Sequence, residues 1–127
     1  MDDGLETVRR ELAALARRSD RRTSEWSRER PTEFRPDTVI NPDTGVSFSP
    51  AGAWHYISDL LEGGQALEPL ELDKPAGKTG YVLRPKLGPE LREIYIKLEL
   101  GDGGMVIGRS FHYSEGPSST RNRKTNL

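Results

Sequence analysis

Side chains that can move protons recur at every second position near the end of the sequence. Glu93, Tyr95 and Lys97 alternate with apolar residues, and Ser110 and His112 follow the same spacing in the next apolar segment. A carboxylate, a phenol, an ammonium group and an imidazole can act together as acids, bases and stabilisers of negative charge. These residues are therefore the first candidates for a functional site.

The same alternation predicts that the candidates lie on two neighbouring strands. Ile94, Ile96 and Leu98 form an apolar face behind the polar one, and period-two alternation with β-branched residues is typical of a half-buried strand. The segments are joined through Asp102-Gly103, which favours a two-residue hairpin turn because such turns need positive φ angles.

That turn predicts which residues face one another. The polar-face pairs are Glu93 with His112, Tyr95 with Ser110, and Lys97 with Gly108. Opposed residues have Cβ atoms about 4.5–5.5 Å apart, so the candidates form one patch, and the glycine leaves a hollow in it. A single bulge would turn the later strand over, so the patch depends on this register.

Arg109 is the exception to the pattern. The predicted register turns it to the core, opposite Ile96, where a charge needs a partner. Three arrangements would satisfy it. The side chain reaches past the end of the sheet, it pairs with Asp59 or Glu62 of a preceding helix, or a bulge turns it to the polar face.

The polar residues fit the cleavage of RNA without a metal ion. One group must remove the proton of the 2′-hydroxyl, another must protonate the leaving 5′-oxygen, and cations must hold the charge of the phosphorane. Glu93 or Tyr95 is the candidate base, and His112 is the candidate acid. The candidate charge-stabilising groups are Lys97, Arg84 and Arg109. The same residues also fit a solvent-facing sheet whose cross-strand pairs each contribute about a few tenths of a kcal/mol.

Charge is distributed unevenly along the chain. The net charge is only −1, yet residues 9–35 are rich in arginine, and residues 59–73 contain acidic residues and no basic one. This asymmetry predicts an anionic partner for one region, through phosphate attraction, and a basic partner for another. Further candidates for contact with RNA are Arg109, Ser110, Lys86, Arg17 and Arg21.

Two helices are predicted before the strands. Residues 4–22 carry an apolar stripe at three-four spacing, with arginines on the other faces. Ser49-Pro50 is typical of a helix start, because the hydroxyl can cap the helix and proline suits its first position. This second helix is expected to reach Glu62, where two glycines end it.

The remaining segments complete an α+β fold. Residues 39–48 predict a short hairpin, residues 67–72 an edge strand and residues 81–87 a strand that leads into the main hairpin. We expect helices packed on one face of a curved antiparallel sheet, with the polar residues on the other face. The predicted divisions are an arginine-rich helix with an extended connection, an α+β core domain and a flexible basic tail, at residues 1–37, 38–115 and 116–127.

Composition narrows the function classes. The sequence has no cysteine, which excludes disulfides and thiolate sites, and its two histidines make a multi-histidine metal site unexpected. We therefore expect neither a metal nor a cofactor. No apolar run is long enough for a signal peptide or a membrane span, so we expect a cytoplasmic protein without a membrane partner.

Part of the chain resembles a known family. The segments concerned are Tyr81-Val-Leu-Arg84-Pro85-Lys86-Leu87, Ile94-Tyr95-Ile96-Lys97-Leu98, Val106-Ile107 and Ser110-Phe111-His112. They resemble the end of the motility quorum-sensing regulator (MqsR-type) toxins, RelE-like mRNA interferases of bacterial toxin–antitoxin pairs. By this likeness Tyr95 falls on a position of the family's ribonuclease site, His112 on the basic residue after Ser-Phe, and Arg84 on the arginine before proline.

The resemblance implies a RelE-like ribonuclease fold and a metal-independent endoribonuclease. Such an enzyme would cut RNA, including ribosome-bound mRNA, through 2′-hydroxyl attack to a 2′,3′-cyclic phosphate, and a cognate antitoxin would bind it. The chain could also form a homodimer. The alternative is a non-catalytic protein- or RNA-binding module, such as an adaptor or an immunity-like protein.

Overall fold

The computed structural model of the chain describes residues 3–114. In this part of the chain, two α-helices and a short 3-10 helix accompany a seven-stranded mixed sheet. The helices are α1 (Asp3–Ala16) and α2 (Pro50–Glu62), and the 3-10 helix is Pro36–Thr38. The strands are β1 (Arg22–Thr23), β2 (Glu33–Phe34), β3 (Glu68–Glu71), β4 (Thr79–Leu83), β5 (Lys86–Leu87), β6 (Arg92–Gly101) and β7 (Met105–Tyr113). The basic tail predicted at residues 116–127 lies outside the described residues.

Helix α1 is shorter than its sequence pattern predicts. Its apolar stripe packs into the core, where Leu12 and Ala16 are fully buried. The helix ends at Ala16, whose carbonyl accepts a hydrogen bond from Arg22 Nη1 at 2.8 Å. The chain then turns and enters β1, so the residues predicted as the last turn of the helix lie outside it. No glycine or proline marks this end, which is why the sequence alone placed it too late.

Helix α2 forms as the sequence predicts. The hydroxyl of Ser49 accepts a hydrogen bond from the Gly52 backbone N–H at 2.9 Å, and Pro50 occupies the first helical position. Trp54 is buried on the side that faces the core, and His55 is exposed on the other side. The cap therefore fixes both where α2 begins and which side of it packs on the sheet.

The sheet has the strand order β1-β7-β6-β4-β3. Strands β3, β4, β6 and β7 pair in antiparallel fashion, which confirms the predicted meander and the edge strand near residues 67–72. Strands β1 and β2 pair in parallel with β7. Arg22 of β1 was predicted to end the first helix, and the other residues of these two strands were predicted to be extended connection. Each strand has only two residues, too few to show a period, so the mixed character of the sheet was not predicted.

The main hairpin has a different register from the predicted one. Its loop contains three residues, Asp102, Gly103 and Gly104, with φ angles of 76° and 75° at the two glycines. Gly101 therefore pairs with Met105. The predicted two-residue turn is wrong because a second glycine also adopts positive φ, which lengthens the loop by one residue.

A bulge in β7 adds a second shift. Leu98 pairs with Gly108 and Lys97 pairs with Ser110, so Arg109 is the extra residue between them. The loop shifts the register by one residue, which turns the side chains of β7 to the opposite faces. The bulge shifts it by one more, so beyond the bulge each side chain of β7 lies on the face that was predicted for it. Ser110 and His112 therefore lie on the polar face, as predicted, although their partners differ.

Gly108 lies on the core face, and the predicted hollow above it on the polar face is wrong. A Cβ built on this glycine would lie 2.6 Å from two ring atoms of Phe34 and 3.0 Å from Trp54. Those two rings stack with their centroids 5.0 Å apart. The missing side chain therefore admits an aromatic pair that fixes β2 and α2 against the sheet.

The core lies between the helices and this apolar face of the sheet. Its largest fully buried apolar residues are Leu12, Val39, Ile57, Leu61, Leu83, Ile94, Ile96, Leu98, Val106 and Phe111. Residues from α1 thus share one core with α2 and the sheet. The opposite face carries the candidate polar residues and also buries two of its charged groups, Glu99 and Arg109.

Candidate functional site

On the polar face, Tyr95 contacts two of the other predicted site residues. Tyr95 on β6 lies directly opposite His112 on β7, and their rings stack with centroids 5.7 Å apart. The guanidinium carbon of Arg84, which follows β4, lies 4.9 Å from the centre of the Tyr95 ring. Cross-strand pairing and a cation–π contact therefore bring together a phenol, an imidazole and a guanidinium group.

The geometry of His112 orients one ring nitrogen toward a carboxylate. Nδ1 lies 2.9 Å from the backbone oxygen of Tyr113, and a carbonyl can only accept, so Nδ1 carries a proton in this contact. Nε2 lies 3.6 Å from Oε1 of Glu33 on β2. Glu33 is thus the acidic neighbour of this imidazole. The prediction that Glu93 faces His112 is wrong, because the longer loop and the bulge moved the register by two residues.

Glu93 belongs to the same patch through Arg84. Its Oε2 accepts a hydrogen bond from the Ser114 hydroxyl at 2.7 Å and lies 3.4 Å from Nη1 of Arg84. Arg84 also lies 3.6 Å from Glu68 on the edge strand β3. A single arginine therefore contacts the phenol ring and two carboxylates, which places Glu93 beside Tyr95 on the same face of the strand.

The surroundings of Tyr95 favour the protonated phenol. Burial raises the pKa of its phenol and outweighs the opposing effect of the Arg84 charge, while Glu68 raises that pKa further. A phenol with a raised pKa stays protonated at neutral pH. Tyr95 is therefore suited to donating a hydrogen bond or a proton, and the role of base falls to a carboxylate.

A groove of about 750 Å³ extends along the polar face from this cluster. Its walls are formed by the connection that contains Trp26 and Glu33 and by residues 70–74, and its floor includes Lys97 and Ser110. Glu33 lies both in the groove wall and beside His112, so the groove and the cluster are continuous. The volume falls in the range of sites that hold small molecules.

Lys97 is half-buried at the floor of the groove. Burial lowers the pKa of its ammonium group, and the nearby charge of Arg109 lowers it further, while Glu33 and Asp73 act in the opposite direction. Among the described residues no hydrogen bond or ion pair to this ammonium group is found. The lysine is thus a partly desolvated donor beside two carboxylates.

Sequence reasoning missed the buried charge cluster behind this floor. The carboxylate of Glu99, fully buried, accepts hydrogen bonds from Arg109 Nη1 at 2.8 Å and from Arg30 Nε at 3.0 Å. Arg109 also donates to the backbone oxygens of Pro31 and Lys74 at 3.0 and 2.7 Å. Of the three arrangements considered for Arg109, the bulge is the one that occurs. The signal that could have pointed to its partner is Glu99, an acidic residue on the same face of the neighbouring strand.

The basic residues predicted to contact RNA lie in different parts of the molecule. Arg17 pairs with Asp59 and Glu62 in the helical layer, at 3.0 and 2.8 Å. Arg21 donates to the Gly103 carbonyl at 3.4 Å, and Lys86 is exposed on β5 next to the cluster. The structure brings Arg109 and Ser110 to the groove itself, the first as a buried part of its wall.

Within residues 3–114 no group of three metal-ligating side chains is found, and no helix is long and apolar enough to cross a membrane. No protein-family model matches the chain, and no curated protein and no solved structure matches it either.

Proposed function

We propose that the chain is a metal-independent endoribonuclease of the RelE-like type, acting as the toxin of a toxin–antitoxin pair in the cytoplasm. The observation that carries the proposal is the contact of Tyr95 with both Arg84 and His112 on one face of the sheet. These are the three positions at which the sequence resembles the ribonuclease site of the MqsR-type toxins. Arg84 follows β4, Tyr95 lies on β6 and His112 lies on β7, and the resemblance alone did not require that these residues come together.

The proposed reaction needs one proton removed and one supplied. Glu93 takes the proton of the 2′-hydroxyl, whose oxygen attacks the adjacent phosphorus. His112, protonated, gives the proton of Nε2 to the 5′-oxygen as its bond to phosphorus breaks. The products are a 2′,3′-cyclic phosphate and a free 5′-hydroxyl, and water can later return the two side chains to their starting forms.

The remaining groups stabilise the charge of the phosphorane. The protonated phenol of Tyr95 donates a hydrogen bond to a phosphate oxygen, in keeping with its raised pKa. Arg84 and Lys97 supply positive charge on either side of it. Arg109 is committed to Glu99 and to two backbone oxygens, so its role is to hold the wall of the site in place.

The test is a ribonuclease assay of the full chain in the presence of a chelator. We expect the wild type to cut RNA to products with 2′,3′-cyclic phosphate ends and the His112→Ala variant to lose activity by about 10²- to 10⁴-fold. His55→Ala is the matched control, because His55 is exposed on α2 and away from the cluster. Ribosome-bound mRNA is assayed in parallel, since the proposed substrate includes it.

Equal activity of the His112→Ala and wild-type chains would contradict the proposal. Absence of cleavage on both naked and ribosome-bound RNA would contradict it as well, and would favour a non-catalytic binding module. One observation supports that second candidate. Strand β3 is an exposed edge of the sheet with Glu68 and Glu71 on it, and an acidic edge strand can pair with an extended basic segment of a partner.

A further inference from the structure

The groove beside the cluster contains polar groups that have no hydrogen-bonding partner within residues 3–114. Ser110 is only 5% exposed, and among the described residues no hydrogen bond to its hydroxyl is found. Lys97, its cross-strand neighbour, has a half-buried ammonium group in the same situation. Buried polar groups are nearly always hydrogen-bonded, so two adjacent donors without a protein partner at the floor of a groove are available to the acceptors of a ligand.

The walls of the groove carry groups of the opposite kind. Glu33 and Asp73 line it, and both act electrostatically on Lys97. Arg35 and Lys74 line the groove as well, so its walls present charges of both signs. A ligand that suits this groove must offer acceptors to the floor and hydrogen-bond donors to the walls.

An exposed tryptophan stands at the same groove. The side chain of Trp26 is 63% exposed and lines the groove, whereas Trp54, the other tryptophan, is buried in the core. Exposed aromatic rings next to a cationic group are the usual platforms on which unpaired bases stack. The combination of a stacking ring, floor donors and wall acceptors therefore selects a flat heterocycle with mixed hydrogen-bonding edges.

We propose that this groove binds one unpaired, amino-bearing base of single-stranded RNA, stacked on Trp26 and held through its edge by Ser110, Lys97 and the wall carboxylates. Adenine, cytosine and guanine each place an amino donor beside a ring or carbonyl acceptor. Uracil has a single N–H donor, fewer than the two hydrogens of an amino group, so it can satisfy only one wall carboxylate. The groove should therefore disfavour uracil.

The proposal rests on the proposed ribonuclease function for the choice of RNA as the nucleic acid. Because Glu33 lies in the groove wall and 3.6 Å from His112, the bound base would belong to a nucleotide next to the bond that is cut. The groove would thus determine where along an RNA strand the cluster acts.

The experiment measures binding separately from cleavage. The full chain is titrated with labelled 2′-O-methyl pentanucleotides, which lack the attacking hydroxyl, and binding is followed by anisotropy and by quenching of tryptophan fluorescence. Uridine pentamers with a central adenosine, cytidine or guanosine are compared with the all-uridine pentamer. We expect tighter binding of the three amino-bearing oligonucleotides, with quenching that disappears in the Trp26→Ala variant.

Variants distinguish the groove from the rest of the surface. Trp26→Ala should weaken binding by about tenfold, and Leu91→Ala, an equally exposed apolar residue outside the groove, should leave it unchanged. Ser110→Ala should weaken binding without loss of thermal stability, because its hydroxyl has no partner to lose in the part of the chain that the structure describes. Asp73→Asn should reduce the preference over uridine.

Several results would overturn the proposal. They are equal affinity for all four pentamers, no effect of Trp26→Ala on binding, or quenching by an arginine-rich pentapeptide in place of the oligonucleotides. Selective binding of the amino-bearing oligonucleotides without any RNA cleavage would contradict the ribonuclease function and would still support this base-binding site. RNA cleavage that is unchanged by Trp26→Ala, together with equal binding of all the oligonucleotides, would contradict the base-binding site and would not contradict the ribonuclease function.

Discussion

The polar face of the sheet has two halves that treat charge differently. Near the hairpin loop, Glu99 and Arg109 are buried, and Arg30 completes a cluster in which each charged group has its partners. Farther from the loop, Lys97 and Ser110 are also withdrawn from water but have no hydrogen-bonding partner among the described residues. A satisfied cluster holds elements together, and unsatisfied groups beside an open groove remain available to a ligand.

The satisfied half joins four separate segments through Glu99 and Arg109. Arg30 belongs to the connection before α2, Arg109 to β7 and Glu99 to β6, and Arg109 also binds the backbone at Pro31 and Lys74. Both walls of the groove are therefore anchored by the buried cluster. The buried cluster therefore stabilises the walls of the groove, and the groups without partners are available to bind a ligand in it.

The largest predicted effect is on the satisfied half. Glu99→Ala leaves the buried Arg109 without its counter-charge, and we expect the free energy of unfolding to fall by about 3–5 kcal/mol. Urea denaturation measures it. Glu62→Ala is the matched control, because its ion pair with Arg17 is exposed and should contribute little to stability. Equal losses in the two variants would remove the distinction between a buried and an exposed pair.

A smaller loss is expected on the core face behind the polar groups. In Gly108→Ala, the new methyl group would lie 2.6 Å from ring atoms of Phe34, which must then shift against Trp54. We expect a loss of about 1–3 kcal/mol in the free energy of unfolding, which is typical of overpacking. Thermal or urea unfolding tests it. A neutral effect would show that Phe34 moves freely and that β2 is not fixed by this contact.

The smallest effect concerns Lys97 and depends on pH. Since burial lowers its pKa in the folded chain below the ordinary 10.5, the unfolded chain binds more protons between the two values, and stability gains from rising pH in that window. Lys97→Met removes this pH-dependent contribution to stability. We expect the stability of the variant relative to wild type to be greatest near neutral pH and to decline toward pH 10.5.

The measurement is urea unfolding of both chains at several pH values across that window. Only the pH-dependent part of the difference reports on the ionisation of Lys97, because the packing of methionine adds a constant. Lys86→Met, at an exposed position on β5, controls for the loss of one positive charge. A difference between Lys97→Met and wild type that stays constant across the window would show that Lys97 does not differ in ionisation between the folded and unfolded chains.

Much of the fold could be predicted from local patterns. The cap at Ser49, the alternation around Ile94 and the edge strand β3 each depend on residues close in the sequence. The prediction also placed Tyr95, Lys97, Ser110 and His112 on one face of the sheet. Beyond the bulge, that facing survived because the two errors in register had opposite effects on it.

Within β6 the sequence by itself determined which residues share the polar face, because side chains alternate along a regular strand whatever lies across from it. Only the tertiary structure decided which of them meet. The third loop residue and the bulge at Arg109 set the pairing of Tyr95 with His112, and short strands from a distant segment brought Glu33 and Trp26 to the groove. Such contacts depend on residues far apart in the chain, and no local period encodes them.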